Sequence, residues 1–474
     1  MIAALDTTLL GEVSGFIAER LGLHFPEERW SDLARGLEAA GRELGFEYPD
    51  ACKRWLTARD LTTRQIETLA SHLTVGETYF LRDPASFEVL AREILPPLVA
   101  RRVESGRTLR LWSAGCSTGE EAYSLAITCA RTLPDLEAWN ASVLATDINP
   151  KALAKAEAGV YSQWSFRGAP GWLRERFLAP TPEGKLEIAP TLKNLVHFGY
   201  LNLAEDVYPS LHNHTNAMDV IFCRNVLMYF TPDHQRRVVT ALHRCLMDGG
   251  YLVVSPAEAG NSLFPMFAME DIGGVILYRK TSRPTCVVPW PSIVSPEPSA
   301  LAPEPAFFAT STPLGLPREP AFVAAAAPAA TVAPVESATP IIAPPGDSPL
   351  ELARTYANQG KLAAALVACR DAVAADRTNP AAHFLCATIC EELGRPEEAV
   401  AALGKVLYLD QDFVLAHHGL GGLYKRLGKH EKSKRHLAIA LELLAHRSRD
   451  EIVPESDGMT CGRLQESVRA MTGA

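Results

Sequence analysis

The stretch Leu109 to Ala122, LRLWSAGCSTGEEA, restricts the fold more than any other part of the chain. Leu109, Leu111 and Trp112 form a short apolar run bounded by polar residues, the pattern of a buried strand. Small residues follow: Ser113, Ala114, Gly115, Ser117, Thr118 and Gly119. A helix then restarts, with Glu120 and Glu121 in its first turn and Tyr123, Leu125, Ala126 and Ile127 behind them. Strand, glycine turn and helix is the layout of a nucleotide site in an open α/β sheet. Glycines let a ligand approach the backbone, and the free N–H groups of a helix start offer donors. The glycines do not fit G-x-G-x-x-G, and no lysine completes a Walker A loop. Two carboxylates at this place would repel a pyrophosphate and welcome a cation. S-adenosylmethionine (SAM), with a sulfonium, an α-ammonium and no phosphate, meets that requirement. The stretch alone leaves a second reading open, in which Glu120 and Glu121 complement the helix dipole and Ser117 or Thr118 caps the helix.

The chain has 474 residues, room for two to four domains. Its 47% hydrophobic and 21% charged residues describe a globular protein with real cores. A net charge of −9 argues against nucleic-acid binding as the main task. The start MIAALDTTLLGEV lacks the features of a signal peptide, and no stretch approaches the length of an uninterrupted apolar span, so no membrane insertion is expected. The ten cysteines include no C-x-x-C. Cys386 and Cys390 share a predicted helix and read as core packing, so no metal site is expected. A reduced, cytoplasmic protein is the expectation.

Residues 8 to 74 read as helical, with Leu9, Val13, Phe16, Ile17 and Leu21, and later Leu61, Ile66, Leu69, Ala70 and Leu73, at helical spacing. TVGETYFLRDPASFEVL follows, Thr74 to Leu90, where Asp83-Pro84 predicts a helix start with Asp83 as N-cap. This segment is either a linker with a salt-bridged arginine or a lid that reaches a ligand. Strands are predicted near 108–113, 142–147, 195–200, 218–223, 250–254 and 275–280, and helices near 118–132, 150–158 and 232–247. Asp147 ends the second strand, where it can accept ribose hydroxyls or cap the helix opened by Pro150. Asn202 lies just past a strand, and DVIFCRNVLMYF runs an apolar strand straight into Arg224-Asn225. Arg224 can serve the ligand crevice or partner an acidic residue.

The pieces ETYFLRDPASFEVL, LWSAGCSTGEEAYSLA, ATDINPKALAKA, YLNL and DVIFCRNVLMYF, in this order over about residues 10 to 280, resemble the CheR-type chemoreceptor glutamate methyltransferases. The resemblance implies an α/β SAM-dependent methyltransferase sheet behind a helical N-terminal domain, with a small antiparallel subdomain inserted near 160–195. It implies that Thr78, Arg82, Glu121, Asp147, Asn202, Leu203, Arg224 and Asn225 line a SAM site, with Arg82 and Tyr229 nearest the reacting methyl group. It also implies that the cytoplasmic domains of methyl-accepting chemoreceptors are the partners, and that their glutamates become methyl esters in signalling adaptation. Two departures stand out. Gly76 replaces an asparagine common in the family, and Ser255 to Asn261, SPAEAGN, keeps Glu258 but lacks the histidine of a G-H-S-E-type segment.

Residues 282–346, rich in proline and alanine, are expected to be an extended, disordered linker. Over 347–446 a period of 34 emerges: Gly360, Gly394 and Gly428, with Ala365, Ala399 and Ser433, and Tyr356, Cys390 and Tyr424, at matched offsets. This period resembles tetratricopeptide repeats, an α-solenoid module that binds a protein or peptide. The domains expected are therefore 1–75 helical, 76–281 methyltransferase, 282–346 linker, 347–446 repeats and 447–474 a loose tail with at most one last helix. The rival readings are a SAM enzyme with another acceptor and a non-catalytic repeat scaffold.

Overall fold

The computed structural model describes residues 7–46, 61–103, 107–260, 262–281 and 348–472. The predicted linker and the stretch 47–60 of the helical N-terminal region lie outside the described residues. The chain opens with helices α1 (Thr7–Leu21), α2 (Trp30–Glu43) and α3 (Thr63–Leu73). They bury Val13, Phe16, Ile17, Leu21, Leu33, Leu37, Leu69 and Leu73 against one another. The helix start at Thr62 is closed by a capping box with Gln65. Next come α4 (Pro84–Val89), a π turn over Leu90–Ile94 and α5 (Leu95–Arg102).

Beyond them the chain alternates: β1 (Thr108–Ala114), α6 (Glu120–Thr132), β2 (Asn140–Asp147) and α7 (Pro150–Ala158). A small unit follows, with β3 (Val160–Tyr161), α8 (Gly171–Phe177), β4 (Leu178–Pro180), β5 (Leu186–Ile188) and α9 (Pro190–Lys193). The main sheet resumes with β6 (Val196–Tyr200), β7 (Met218–Phe222), α10 (Pro232–Cys245), β8 (Leu246–Val253), β9 (Phe267–Ile272) and β10 (Val275–Lys280). Among the described residues the main sheet has seven strands in the order β6-β2-β1-β7-β8-β10-β9, and an antiparallel three-stranded sheet has the order β3-β5-β4. The strands β6, β2, β1, β7 and β8 pair in parallel, and β10 and β9 close the edge antiparallel. The inner strands β1 and β7 and the second half of β2 are buried on both faces, which is why Leu109, Leu111, Val143, Val220, Ile221 and Phe222 run without strict alternation. The order reverses between β1 and β7, so a crevice opens at their carboxyl ends.

Three details differ from the sequence expectations. Strand β9 was absent from them, although Gly273-Gly274 supplies the left-handed pair of a two-residue hairpin turn. Strand β8 begins at Leu246 rather than near residue 250, and its register shifts against Met218 and Val220. The third concerns the C-terminal segment, which is not loose.

The repeats form three helix pairs: α11 (Pro349–Asn358) with α12 (Leu362–Ala375), α13 (Pro380–Glu392) with α14 (Pro396–Leu409), and α15 (Val414–Arg426) with α16 (His430–Ala445). Ala365, Ala399 and Ser433 are buried where the helices approach closely. After them, α17 (Cys461–Thr472) buries Cys461, Leu464 and Val468 in the same core, together with Val453. These four buried apolar side chains anchor the segment on the repeat core. The segment also ties the repeats to the rest of the chain. The Thr63 N–H donates to Asp450 at 2.9 Å, Arg463 pairs with Glu67 at 3.6 Å and stacks on the Tyr200 ring, and the Ser210 hydroxyl donates to Asp457. Helix α13 meets β1 and the loop between β6 and β7. His212 stacks on Phe384, Leu211 joins the repeat core, and Arg110 of β1 pairs with Glu392. No described helix is long and apolar enough to cross a membrane.

Candidate active site

The crevice at the carboxyl ends of β1, β2, β6 and β7 holds a cavity of about 260 Å³. All nine residues singled out from the sequence line it: Thr78, Arg82, Glu121, Asp147, Asn202, Leu203, Arg224, Asn225 and Tyr229. The floor is the glycine loop. The N–H groups of Gly115 and Cys116 both donate to the Thr146 carbonyl, at 2.8 and 2.9 Å, which pulls the loop against the end of β2. Gly115 has φ +88°, and a Cβ there would come within 2.4 Å of Val226. Gly119 occupies the helix N-cap position with φ +91°, and a Cβ would meet Ala156 at 2.8 Å. Only glycine fits either place.

Asp147 projects from the end of β2. Its Oδ2 accepts from the Ser117 N–H and its Oδ1 from the Asn149 N–H, both at 2.8 Å. The helix that follows is capped by Asn149, not Asp147. Each carboxylate oxygen has a second lone pair, so Asp147 can still accept from a ligand. Burial pushes its carboxyl up, against the pull of these N–H groups.

The two glutamates part company. Glu120 is buried away from the cavity, accepting from Thr118 at 2.6 Å and from Ser165 at 2.9 Å. Glu121 lines the cavity, accepts from Ser113 at 2.7 Å and lies 3.5 Å from Arg224. Burial raises the Glu121 carboxyl, and the Arg224 charge works against that rise. Helix-dipole complementarity is therefore not the whole account of the pair.

Arg224, with a side chain only 2% exposed, is a hub. It donates to the Arg82 carbonyl at 2.7 Å, to Asp83 at 3.1 Å and toward Glu121 at 3.5 Å. This corrects the expectation for Asp83. It precedes α4, but it sits at φ +62° and its carboxylate takes Arg224 and the Ser86 hydroxyl rather than helix N–H groups. Leu81 is also left-handed, at φ +53°, so Arg82 stands between two strained residues held by Arg224 below and by the Ser124 hydroxyl at Leu81. The Arg82 guanidinium donates to the Glu77 carbonyl at 2.8 Å. The Thr74–Leu90 segment is thus a wall of the cavity, with Thr78 on it.

Asn202 is placed differently from the rest. Its amide donates to the Arg20 carbonyl and to Glu205, and its Oδ1 accepts from the Ala204 N–H. Its side chain fastens α1 to the sheet end, and Leu203 adds a buried apolar wall. Asn225, at φ +57°, and Tyr229 lie on the loop after β7.

Five further residues build the site without having been singled out from the sequence as ligand-lining: Glu258, Ser117, His24, Phe25 and Arg29. Glu258 accepts from the N–H groups of Asn225 (2.7 Å), Val226 (2.8 Å), Met228 (3.2 Å) and Ser255 (3.2 Å) and from the Ser255 hydroxyl (2.6 Å). It builds the loop that carries Asn225 and Tyr229. Ser117, in the left-handed region at φ +50°, has a buried hydroxyl without a protein partner. His24, Phe25 and Arg29 reach the cavity from the N-terminal helices, a juxtaposition that no local pattern announces.

The donor set fits a nucleoside that carries a cationic amino acid. Asp147 offers acceptors for a diol and Glu121 a carboxylate for an ammonium. The orphan Ser117 hydroxyl and the glycine backbone lie between them. At Gly76 a Cβ would stand 3.3 Å from the Ser117 hydroxyl, so the missing asparagine leaves that hydroxyl room.

Comparison with known proteins adds the family. The model described as "CheR methyltransferase, SAM binding domain" matches residues 76–271, and a tetratricopeptide repeat model matches 356–421. The chain is 36% identical over 219 residues to "Chemotaxis protein methyltransferase 1" of Pseudomonas aeruginosa, covering 45% of this chain and 77% of that one. It is 34% identical over 233 residues to "Chemotaxis protein methyltransferase" of Vibrio anguillarum, covering 47% and 80%. Similarity to "Probable biofilm formation methyltransferase WspC" of Pseudomonas aeruginosa runs through the repeats as well, 30% identical over 406 residues and covering 83% and 90%.

Proposed function

The chain belongs to the CheR methyltransferase family and takes its methyl group from SAM, and from that premise we propose that it methylates glutamate side chains on the cytoplasmic domains of chemoreceptors. The observation that carries this reading is the joining of a cation-seeking floor, Glu121 and Asp147, to the Arg82 guanidinium on the facing wall of one cavity. Such a cavity accommodates a cationic donor below and an anionic acceptor above.

A glutamate side chain is ionised at neutral pH, its ordinary pKa being about 4.3, so the nucleophile needs no general base. When bound, SAM supplies a sulfonium methyl: the acceptor oxygen forms the new O–CH₃ bond as the C–S bond breaks, its electron pair stays on sulfur, and no proton moves. The chain's part is alignment and exclusion of water. Asp147 holds the ribose and Glu121 the ammonium. Arg224 fixes Glu121 and the backbone at Arg82. Thr78, Leu203 and Asn225 shape the walls, and Asn202 holds α1 in place over them. Arg82 and Tyr229 face the reacting methyl.

The product ester removes one negative charge from the acceptor, which relieves like-charge repulsion in a receptor bundle and biases its signalling state. The site of action is the cytoplasm. The repeats bind a protein partner of the pathway. The test is mass spectrometry of a receptor cytoplasmic domain after incubation with the full chain and SAM. Methylation confined to glutamates, abolished by Arg82→Ala and weakened by Tyr229→Phe, is the expected result. Methylation of another residue type, or full turnover by Arg82→Ala, overturns the assignment.

A further inference from the structure

We propose that Arg29 belongs to the acceptor site: its guanidinium, carried by the N-terminal helical region, binds the side-chain carboxylate of the acceptor beside Tyr229. The proposal rests on the glutamate-acceptor reading above and deepens it.

Three arginines line the cavity, and they differ in what they have left to give. Arg224 is spent on Asp83, Glu121 and the Arg82 carbonyl. Arg82 spends one nitrogen on the Glu77 carbonyl. Arg29 has a single charge partner among the described residues, Asp32, with Nε 3.6 Å from Oδ2. Asp32 is shared with Arg35, whose Nη2 lies 2.5 Å from its other oxygen. Both terminal nitrogens of Arg29 are therefore available, on a side chain 34% exposed.

The position is built rather than incidental. Residues 22–25 are locked onto the end of the loop after β7: Leu23 bridges Phe230, and the His24 N–H donates to the Tyr229 carbonyl at 2.6 Å. The Phe25 carbonyl accepts from the Ser14 hydroxyl at 2.8 Å and the Trp30 indole at 3.1 Å, so the turn leading to Arg29 is tied at both ends. The guanidinium then stands 5.2 Å from the Phe25 ring and 5.8 Å from the Tyr229 ring. Two aromatic faces hold a cation at that spot without consuming its hydrogen-bond donors.

The chemistry requires such a cation. An anionic acceptor must approach a cavity that already contains Glu121 and Asp147. A guanidinium matches a carboxylate in shape and charge. The contact is strongest while the acceptor is charged and weakens as the ester forms, so it contributes to binding rather than to the chemical step.

The experiment is steady-state methylation of a receptor cytoplasmic domain by the full chain and by Arg29→Gln and Arg29→Lys, with SAM affinity measured by calorimetry. Arg29→Gln should raise the acceptor KM about tenfold, the loss of one charge-assisted hydrogen bond. Its kcat and SAM affinity should stay within about twofold of the parent, which also shows the variant to be folded, and Arg29→Lys should recover most of the KM. An unchanged acceptor KM with an active parent overturns the proposal alone, as does a KM rise matched by a loss of SAM affinity. A parent that leaves receptor glutamates unmodified overturns the underlying reading and this proposal with it.

Discussion

Replacing Arg224 with methionine keeps the volume and removes the charge on which the cavity wall is built. The side chain is 2% exposed and donates to Asp83, to the Arg82 carbonyl and toward Glu121. Removing one partner of a buried ion pair typically costs about 3–5 kcal/mol, because the other charge stays buried. Here the lower end applies. Asp83 is 30% exposed and keeps the Ser86 hydroxyl at 2.6 Å, so the uncompensated charge is chiefly Glu121, 14% exposed and left with Ser113. About 3 kcal/mol corresponds to a fall of about 6 °C in Tm for a domain of this size. There is a second consequence. Burial already raises the Glu121 carboxyl and Arg224 restrains the rise, so without the arginine Glu121 holds its proton to higher pH. SAM affinity should drop by at least tenfold at neutral pH. The assays are thermal unfolding and calorimetry on the parent, Arg224→Met and the double variant Glu121→Gln with Arg224→Met. The double variant should regain part of the lost Tm, since it no longer buries a lone carboxylate, but none of the affinity. A Tm for Arg224→Met within about 1 °C of the parent, or a double variant less stable than the single, would refute the reasoning.

The remaining expectations concern the loop, the floor and the repeats. Glu258→Gln leaves one oxygen where two accept five hydrogen bonds, and should cost about 1–3 kcal/mol and weaken SAM binding; a variant that melts and binds SAM like the parent contradicts the role given to Glu258. Burial raises the carboxyls of Asp147 and Glu121 in the free protein, and a bound cation favours their ionised forms. SAM affinity should therefore fall as pH drops through the range just above ordinary carboxylate values and level off above it, with Asp147→Asn flattening the curve; calorimetry showing tighter binding on acidification would sink this. Glu392 of α13 is depressed to about 2, because the His214 hydrogen bond and the Arg110 charge outweigh its burial. A lowered carboxyl contributes stability above its ordinary value of 4.5 and loses it as pH falls toward 2, worth about 3 kcal/mol at neutral pH. Glu392→Gln should then reduce hydrogen-exchange protection in α13 at pH 7 but not at the acid end, and equal protection at pH 7 would count against the coupling.

The parts legible in the sequence were those whose signal is local. Strand, glycine turn and helix over 108–132 follow from residues within a few positions of one another, and Asp147 sits where a strand end must put it. The 34-residue period is likewise visible because each repeat meets its neighbour in the same way. What stayed hidden depends on distant partners. Arg29 and His24 reach the cavity only because the N-terminal helices dock on Tyr229 and Phe230. Asn202 was assigned to the site from its place after a strand, yet its amide faces Arg20, since α1 offers an unpaired carbonyl there. The C-terminal segment looked loose because Val453, Leu464 and Val468 form no long apolar face by themselves and become a core only against α15 and α16. Strand β9 was missed although Gly273-Gly274 announced its turn, the one error the residues themselves could have prevented.

We propose that this cavity transfers a methyl group from SAM to a receptor glutamate. The most direct measurement is transfer of radiolabelled methyl from SAM to membranes bearing chemoreceptors, with the full chain and with Asp147→Ala. Base-labile label on the receptor, lost with Asp147→Ala, is the result predicted here. Base-stable label, or no label from a chain that binds SAM, would contradict it.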